Sequence, residues 1–138
     1  MKSQFNSQHA DPLAGDDLAM RVYTSRLLGA EEDLVIHGGG NTSVKSEVQD
    51  FFGRIVEVLF VKGSGWDLKK IKKPGFAPLR LEETQMLAQR DTLSDDDMAK
   101  QLRANLLDQS APSPSVEAIL HAIMPFKFVD HTHADADQ

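Results

Sequence analysis

Three consecutive glycines, Gly38-Gly39-Gly40, followed by Asn41, Thr42 and Ser43, break the chain directly after the apolar, β-prone run Leu34-Val35-Ile36. Glycine reaches backbone angles closed to other residues, so a strand that runs into such a loop can turn sharply and leave its N–H groups bare. The same transition recurs within 30 residues, where the strand candidate Arg54 to Val61 enters Lys62-Gly63-Ser64-Gly65. Thr42 to Val48 is the other strand candidate, and the connection through Gln49, Asp50 and Gly53 suits an antiparallel hairpin. Helical patterning occupies other stretches. Asp16 opens a helix whose apolar positions Leu18, Val22, Leu27 and Leu28 recur until Gly29 stops it. Glu82 to Gln89 has helical patterning, and Ser94 with Asp97 resembles a capping box that starts a helix reaching about Leu107. Pro74 to Pro78 reads as a turn-rich connection. Pro114, with Ser113 as its cap, predicts a helix from Ser115 to about Met124, after which Pro125 leads into a strand over Lys127 to His133. Strands near both ends with helices between them predict a mixed, layered α/β fold.

Composition removes several classes of function. The 138 residues suffice for one compact domain but not two. With 41% hydrophobic and 26% charged residues, wholesale disorder is excluded. No apolar run approaches the roughly 20 residues of a membrane span. Residues Met1 to Asp11 are polar and lack the apolar stretch of a signal peptide, so the chain is expected in the cytoplasm, with residues 1–14 a loose N-terminus and 15–138 the folded part. A net charge of −6 disfavours nucleic acid as a partner. The one basic cluster, Lys69, Lys70, Lys72 and Lys73, has no interleaved aromatics and reads as a solvated face. The absence of cysteine leaves His, Asp and Glu as the available metal ligands.

The sharpest chemical signal is His131-Thr132-His133. Side chains two apart on a strand share a face, so both imidazoles can reach one ion at about 2.0 to 2.1 Å. Catalytic divalent ions commonly use three protein ligands, and two structural histidines would give the same pattern. Asp130 and Asp135 flank the pair, where they could orient the rings or be solvated. Glu117, fourteen residues before His131, falls near the start of the preceding helix. It can serve as a general base beside a metal or simply favour the helix dipole. His121 shares its helix face and could hydrogen-bond to it. The two glycine loops offer amides and hydroxyls suited to a phosphate or carboxylate, the second with a lysine charge added, although each is also explained by a tight turn. Neither completes a P-loop or a GxGxxG fingerprint.

Taken in order, Leu34 to Ser43, Phe60-Val61-Lys62-Gly63-Ser64-Gly65, Pro114-Ser115-Val116-Glu117 and His131-Thr132-His133 resemble the class II aldolase/adducin family. The likeness is nearest to the aldolase region of bacterial proteins that join rhamnulose-1-phosphate aldolase to a short-chain dehydrogenase, and it covers roughly residues 15 to 135. The resemblance implies a three-layer α/β/α domain with a central, mainly antiparallel sheet, its C-terminal part missing here, and a homotetramer at full length. It implies a divalent metal, Zn2+ foremost, held by three histidines. His131 and His133 match two of them, and Glu117 matches the acid/base glutamate. Gly40, Asn41, Ser43, Ser64, Gly65 and Ser115 match positions that hold the substrate phosphate. The implied reaction cleaves a ketose 1-phosphate, such as rhamnulose 1-phosphate, to dihydroxyacetone phosphate and an aldehyde through a metal-stabilised enediolate. A sugar-phosphate epimerase or dehydratase of the same superfamily, or a non-catalytic adducin-like interaction domain, are the alternatives. Two departures stand out. The family's Ser-Ser-Glu is Ser115-Val116-Glu117 here, and the third histidine has no counterpart, since His9, His37 and His121 lie elsewhere and the chain ends five residues past His133. An N-terminal fragment of a longer protein, weak in metal binding and with little turnover of its own, is therefore expected.

Overall fold

The computed structural model describes residues 16–30, 40–90 and 92–131. The expected strand at Leu34 to Ile36, as well as His37, Gly38, Gly39, His133, Asp135 and the N-terminal 1–14, lies outside these residues. Helix α1 spans Asp17–Gly29, with Asp16 as its cap accepting from the amide of Ala19. Strands β1 (Asn41–Gln49) and β2 (Ile55–Lys62) form the expected antiparallel hairpin. Two 3-10 turns, Leu68–Lys70 and Lys73–Gly75, carry the chain to β3 (Phe76–Arg80) and α2 (Leu81–Leu87). Helices α3 (Asp95–Ala104) and α4 (Glu117–Ile123) follow, and β4 (Phe128–His131) completes an antiparallel four-stranded sheet of order β3-β2-β1-β4.

The fold is α/β, and the alternation of β1 shows how the layers arise. Thr42, Val44 and Ser46 face α1: the Ser25 and Thr42 hydroxyls lie 2.7 Å apart, and Ser46 donates to Asp17 at 2.5 Å. Asn41, Ser43 and Lys45 face the other way, toward α4. Leu59 and Val61 pair with Lys45 and Ser43, so they share that second face. There they join Ala77 and Leu79 of β3 with Leu81 and Leu87 of α2, Leu102 of α3, Leu106, and Ala118 and Ala122 of α4 in one buried cluster. Burying each leucine there contributes about 1.5–3 kcal/mol.

Three expectations are corrected. The stretch from Pro74 to Pro78 holds a strand as well as a turn, because Phe76, Ala77 and Leu79 are buried against β2. Pro78 is tolerated because β3 is at the end of the sheet order. Ser94 does cap α3, accepting from the amide of Asp97 at 3.1 Å, yet the helix stops at Ala104. Beyond it the chain is drawn onto β3, with the amide of Leu107 donating to the carbonyl of Pro78 at 2.9 Å and that of Arg80 to the carbonyl of Asn105 at 3.0 Å. Helix α4 begins at Glu117 rather than Ser115, because Pro114 bridges to Gly63 and the Ser113 carbonyl accepts from the amide of Ser64 at 3.0 Å. The Ser113 hydroxyl accepts from Arg103 at 2.7 Å instead of capping the helix. The lysine cluster is exposed, as expected, with Lys73 paired to Asp16 at 2.9 Å.

Candidate active site

Two loops and one helix end meet beside the start of β1. Residues 63–64 and 113–114 are zipped together by the Gly63–Pro114 bridge and the Ser64–Ser113 hydrogen bond. A cβ on Gly63 would run into Pro112, so this close approach requires glycine. The zipped loops wall a cavity of about 330 Å³ lined by Gly40, Asn41, Lys62, Ser64, Ser115 and Glu117, among others. Gly40, immediately before β1, has a left-handed φ of 98°, a conformation that favours glycine. The Ser115 hydroxyl accepts from the amide of Glu117 at 3.3 Å, tying the loop to the first residue of α4.

Glu117 is the hub. Its Oε2 accepts from the side-chain amide of Asn41, and its Oε1 contacts Nδ1 of His131. Asn41 and His131 are register partners on β1 and β4, which places both on the face that α4 covers. Residues distant in sequence thus converge, and three of the expected site residues, Asn41, Glu117 and His131, touch in one cluster. Gly40, Ser64 and Ser115 share the cavity wall with Asn41 and Glu117, and His131 meets Glu117 from beyond that lining.

Ser43 and Gly65 are placed differently. Ser43 is completely buried, its hydroxyl 2.6 Å from Nδ1 of His121, so it lies behind the cavity rather than on its wall. Gly65, at φ 86°, supplies a left-handed turn outside the lining residues. His121 hydrogen-bonds to Ser43 rather than to Glu117; burial holds it neutral, its pKa pushed down to about 4. Its Nε2 is buried and has no hydrogen-bond partner among the described residues. Asp130 does not orient His131. It faces α1 and pairs with Arg21 at 2.6 Å.

Lys62 is the functional candidate that motif matching passed over, and its signal was the charge immediately before Gly63-Ser64-Gly65. It is half-buried on the cavity wall, where burial lowers its pKa while Asp67 and Glu117 oppose that shift. The side chain makes no hydrogen bond or ion pair among the described residues. The cavity therefore combines a cation with the hydroxyls of Ser64 and Ser115, chemistry that receives an anionic oxygen cluster.

An imidazole touching a carboxylate is a donor pair of the type divalent zinc accepts. Among the described residues no group of three or more His, Asp or Glu side chains converges on one point. His133 lies outside them.

Comparison with known proteins places the fold in a family. The chain is 45% identical over 115 residues to a Bacillus subtilis (strain 168) protein described as uncharacterized oxidoreductase YuxG, covering 83% of this chain and 17% of that protein. It is similar to the structure of the N-terminal class II aldolase domain of a conserved protein from Thermoplasma acidophilum, with a TM-score of 0.83 and 42% identity, covering 99% of this chain and 59% of that one. It therefore spans less than two thirds of either relative. The family model for the class II aldolase and adducin N-terminal domain matches residues 20–137, and the chain belongs to that family.

Proposed function

We propose that this domain is the substrate-binding and proton-transfer half of a metal-dependent aldolase that cleaves a ketose 1-phosphate, rhamnulose 1-phosphate being the model substrate, to dihydroxyacetone phosphate and an aldehyde. The observation that carries the reading is that Glu117, which lines the cavity together with Asn41 and Lys62, contacts both Asn41 and His131. Lys62, Ser64, Ser115 and the backbone at Gly40 hold the phosphate, so binding energy from a group remote from the reacting bond fixes the ketose carbons. Asn41 donates to Glu117 and keeps its carboxylate aimed. Glu117 then delivers a proton to the carbon that gains electron density when the C3–C4 bond breaks, and removes it in the synthetic direction. His131 and His133 would hold the divalent ion, Zn2+ in the first instance, with a third ligand from beyond this chain. When bound, the ion supplies Lewis-acid stabilisation of the negative charge that cleavage develops. A cytoplasmic homotetramer belongs to the same reading, as does a dehydrogenase partner region in the complete protein.

A non-catalytic scaffold would not need an imidazole, a carboxylate and an amide brought together from three separate elements. The test is a cobalt titration of this chain and of His131→Ala, followed by an assay of dihydroxyacetone phosphate release by the complete protein and its Glu117→Gln variant. Weaker cobalt uptake in His131→Ala and a loss of release of about 100-fold or more in Glu117→Gln are expected. Equal uptake by both proteins refutes the metal role, and undiminished release refutes the role of Glu117.

A further inference from the structure

Helix α1 sends one charged side chain into the interior. Arg21 is 2% exposed, and its guanidinium grips three successive residues of β4. Its Cζ lies 5.4 Å from the centre of the Phe128 ring. Its Nη1 donates to the Val129 carbonyl at 3.5 Å and pairs with Asp130 Oδ1 at 2.6 Å. The same nitrogen donates to the carbonyl of Ser43, the register partner of Val129, at 3.3 Å, so the contact straddles the seam between β1 and β4. The next residue of β4 is His131.

This strand needs a tether. It has four residues, none of them buried, and among the described residues it pairs with β1 alone. A short edge strand with few buried contacts frays at low free-energy cost. A slip of one residue would turn every side chain over and carry His131 to the α1 face, away from Glu117. Phe128 and Asp130 project to the α1 face, where Arg21 reaches them, whereas His131 projects to the other face with Asn41. The planar, multiply donating guanidinium suits such a grip, because it can hold a ring, a carbonyl and a carboxylate at once.

We propose that Arg21 is the positioning residue for His131, fixing the register and twist of β4 from the opposite face of the sheet so that the imidazole meets Glu117. The proposal rests on the reading of Glu117 and His131 as parts of one site.

Wild-type chain, Arg21→Met and Arg21→Lys are compared by two measurements. Without added metal, nuclear Overhauser cross-peaks between the His131 ring and the Glu117 side chain report geometry. With cobalt as the probe, visible absorption reports affinity. Arg21→Met is expected to keep its circular dichroism, lose the cross-peaks and bind cobalt at least about tenfold more weakly, the size of effect seen when groups orienting a ligand are removed. Arg21→Lys, which keeps the charge without the fork, is expected to fall between the two. Should Arg21→Met fail to fold, weakened cross-peaks in folded Arg21→Lys support the proposal and wild-type cross-peaks there overturn it. Cross-peaks retained in a folded Arg21→Met, or absent from the wild type, also overturn it. If the wild type shows the cross-peaks but takes up cobalt no better than His131→Ala, the metal reading fails, and the positioning role is decided by the cross-peaks alone.

Discussion

His121 makes the stability of this domain depend on pH in a window that can be stated in advance. The ring is 1% exposed on α4, with Nδ1 held 2.6 Å from the Ser43 hydroxyl. Burial pushes its pKa from 6.5 down to about 4; Glu117 and Asp130 oppose the shift, while His131 and Lys45 reinforce it. Between those two values the unfolded chain binds a proton that the folded chain refuses. Stability conferred by the neutral ring is therefore complete above about pH 6.5 and is lost as the pH falls toward about 4. At about 1.4 kcal/mol per pH unit, the full effect is about 3 kcal/mol, of which about 2 kcal/mol is lost between pH 7 and pH 4.5.

The assay is urea unfolding followed by the fluorescence of Trp66, the one tryptophan, at several pH values from about 7 to about 4.5. The comparison is His121→Asn, whose amide can still meet Ser43 but does not titrate. Wild type should lose about 2 kcal/mol more than the variant across this range. Depressed carboxylates do not confuse the result. Asp16, held down by the Ala19 amide and Lys73, Asp17, where Ser46 and Lys127 outweigh burial, and Asp108, held down by Ser110, all lie below the ordinary 3.8. Their contributions are lost only at lower pH, and they are common to both proteins. Parallel pH profiles for wild type and variant would refute the claim that this ring is buried and neutral.

Ser43→Ala should cost about 1–3 kcal/mol by stranding Nδ1 of His121, measured by the same unfolding assay, while leaving the affinity for inorganic phosphate unchanged. Lys62→Met and Ser115→Ala should instead weaken phosphate binding severalfold by calorimetry, with stability nearly intact, because both residues line the cavity. Gly63→Ala should lower the melting temperature by several degrees, since its new methyl group meets Pro112 and must part the two loops. An unchanged melting temperature would show that the loops are not zipped as described.

How much of this was legible in the sequence depended on whether the signal was local. The β1–β2 hairpin and the Asp16 and Ser94 caps are written in neighbouring residues, and the structure agrees with them. β3 was obscured by Pro78, which reads as a strand breaker until its place at the end of the sheet is known. The premature ends of α3 and the late start of α4 follow from long-range pairing with β3 and with Gly63, which no local pattern encodes. Arg21 was equally invisible. An arginine within a helix suggests the solvated side, and only the partners on β1 and β4 explain the burial of Arg21.

Ser43 was assigned to the phosphate pocket by motif, and strand geometry explains why it belongs elsewhere. Asn41, Ser43 and Lys45 alternate on one face of β1, and all three reach the same short stretch of chain. Asn41 meets Glu117, Ser43 meets His121, and Lys45 Nζ donates to the carbonyls of His121 and Phe126 at 2.9 and 2.6 Å. Two residues of strand advance about 6.6 Å and four residues of helix about 6 Å, so the spacings 41 to 43 and 117 to 121 match almost rung for rung. The first rung opens into the cavity and is available for chemistry. The second is sealed, and the third caps the far end of the helix. An alternating Asn-x-Ser-x-Lys on a strand, with Glu and His four apart on a later helix, is thus a pattern for a strand and helix bolted together, whose outermost pair alone remains free to act on a substrate.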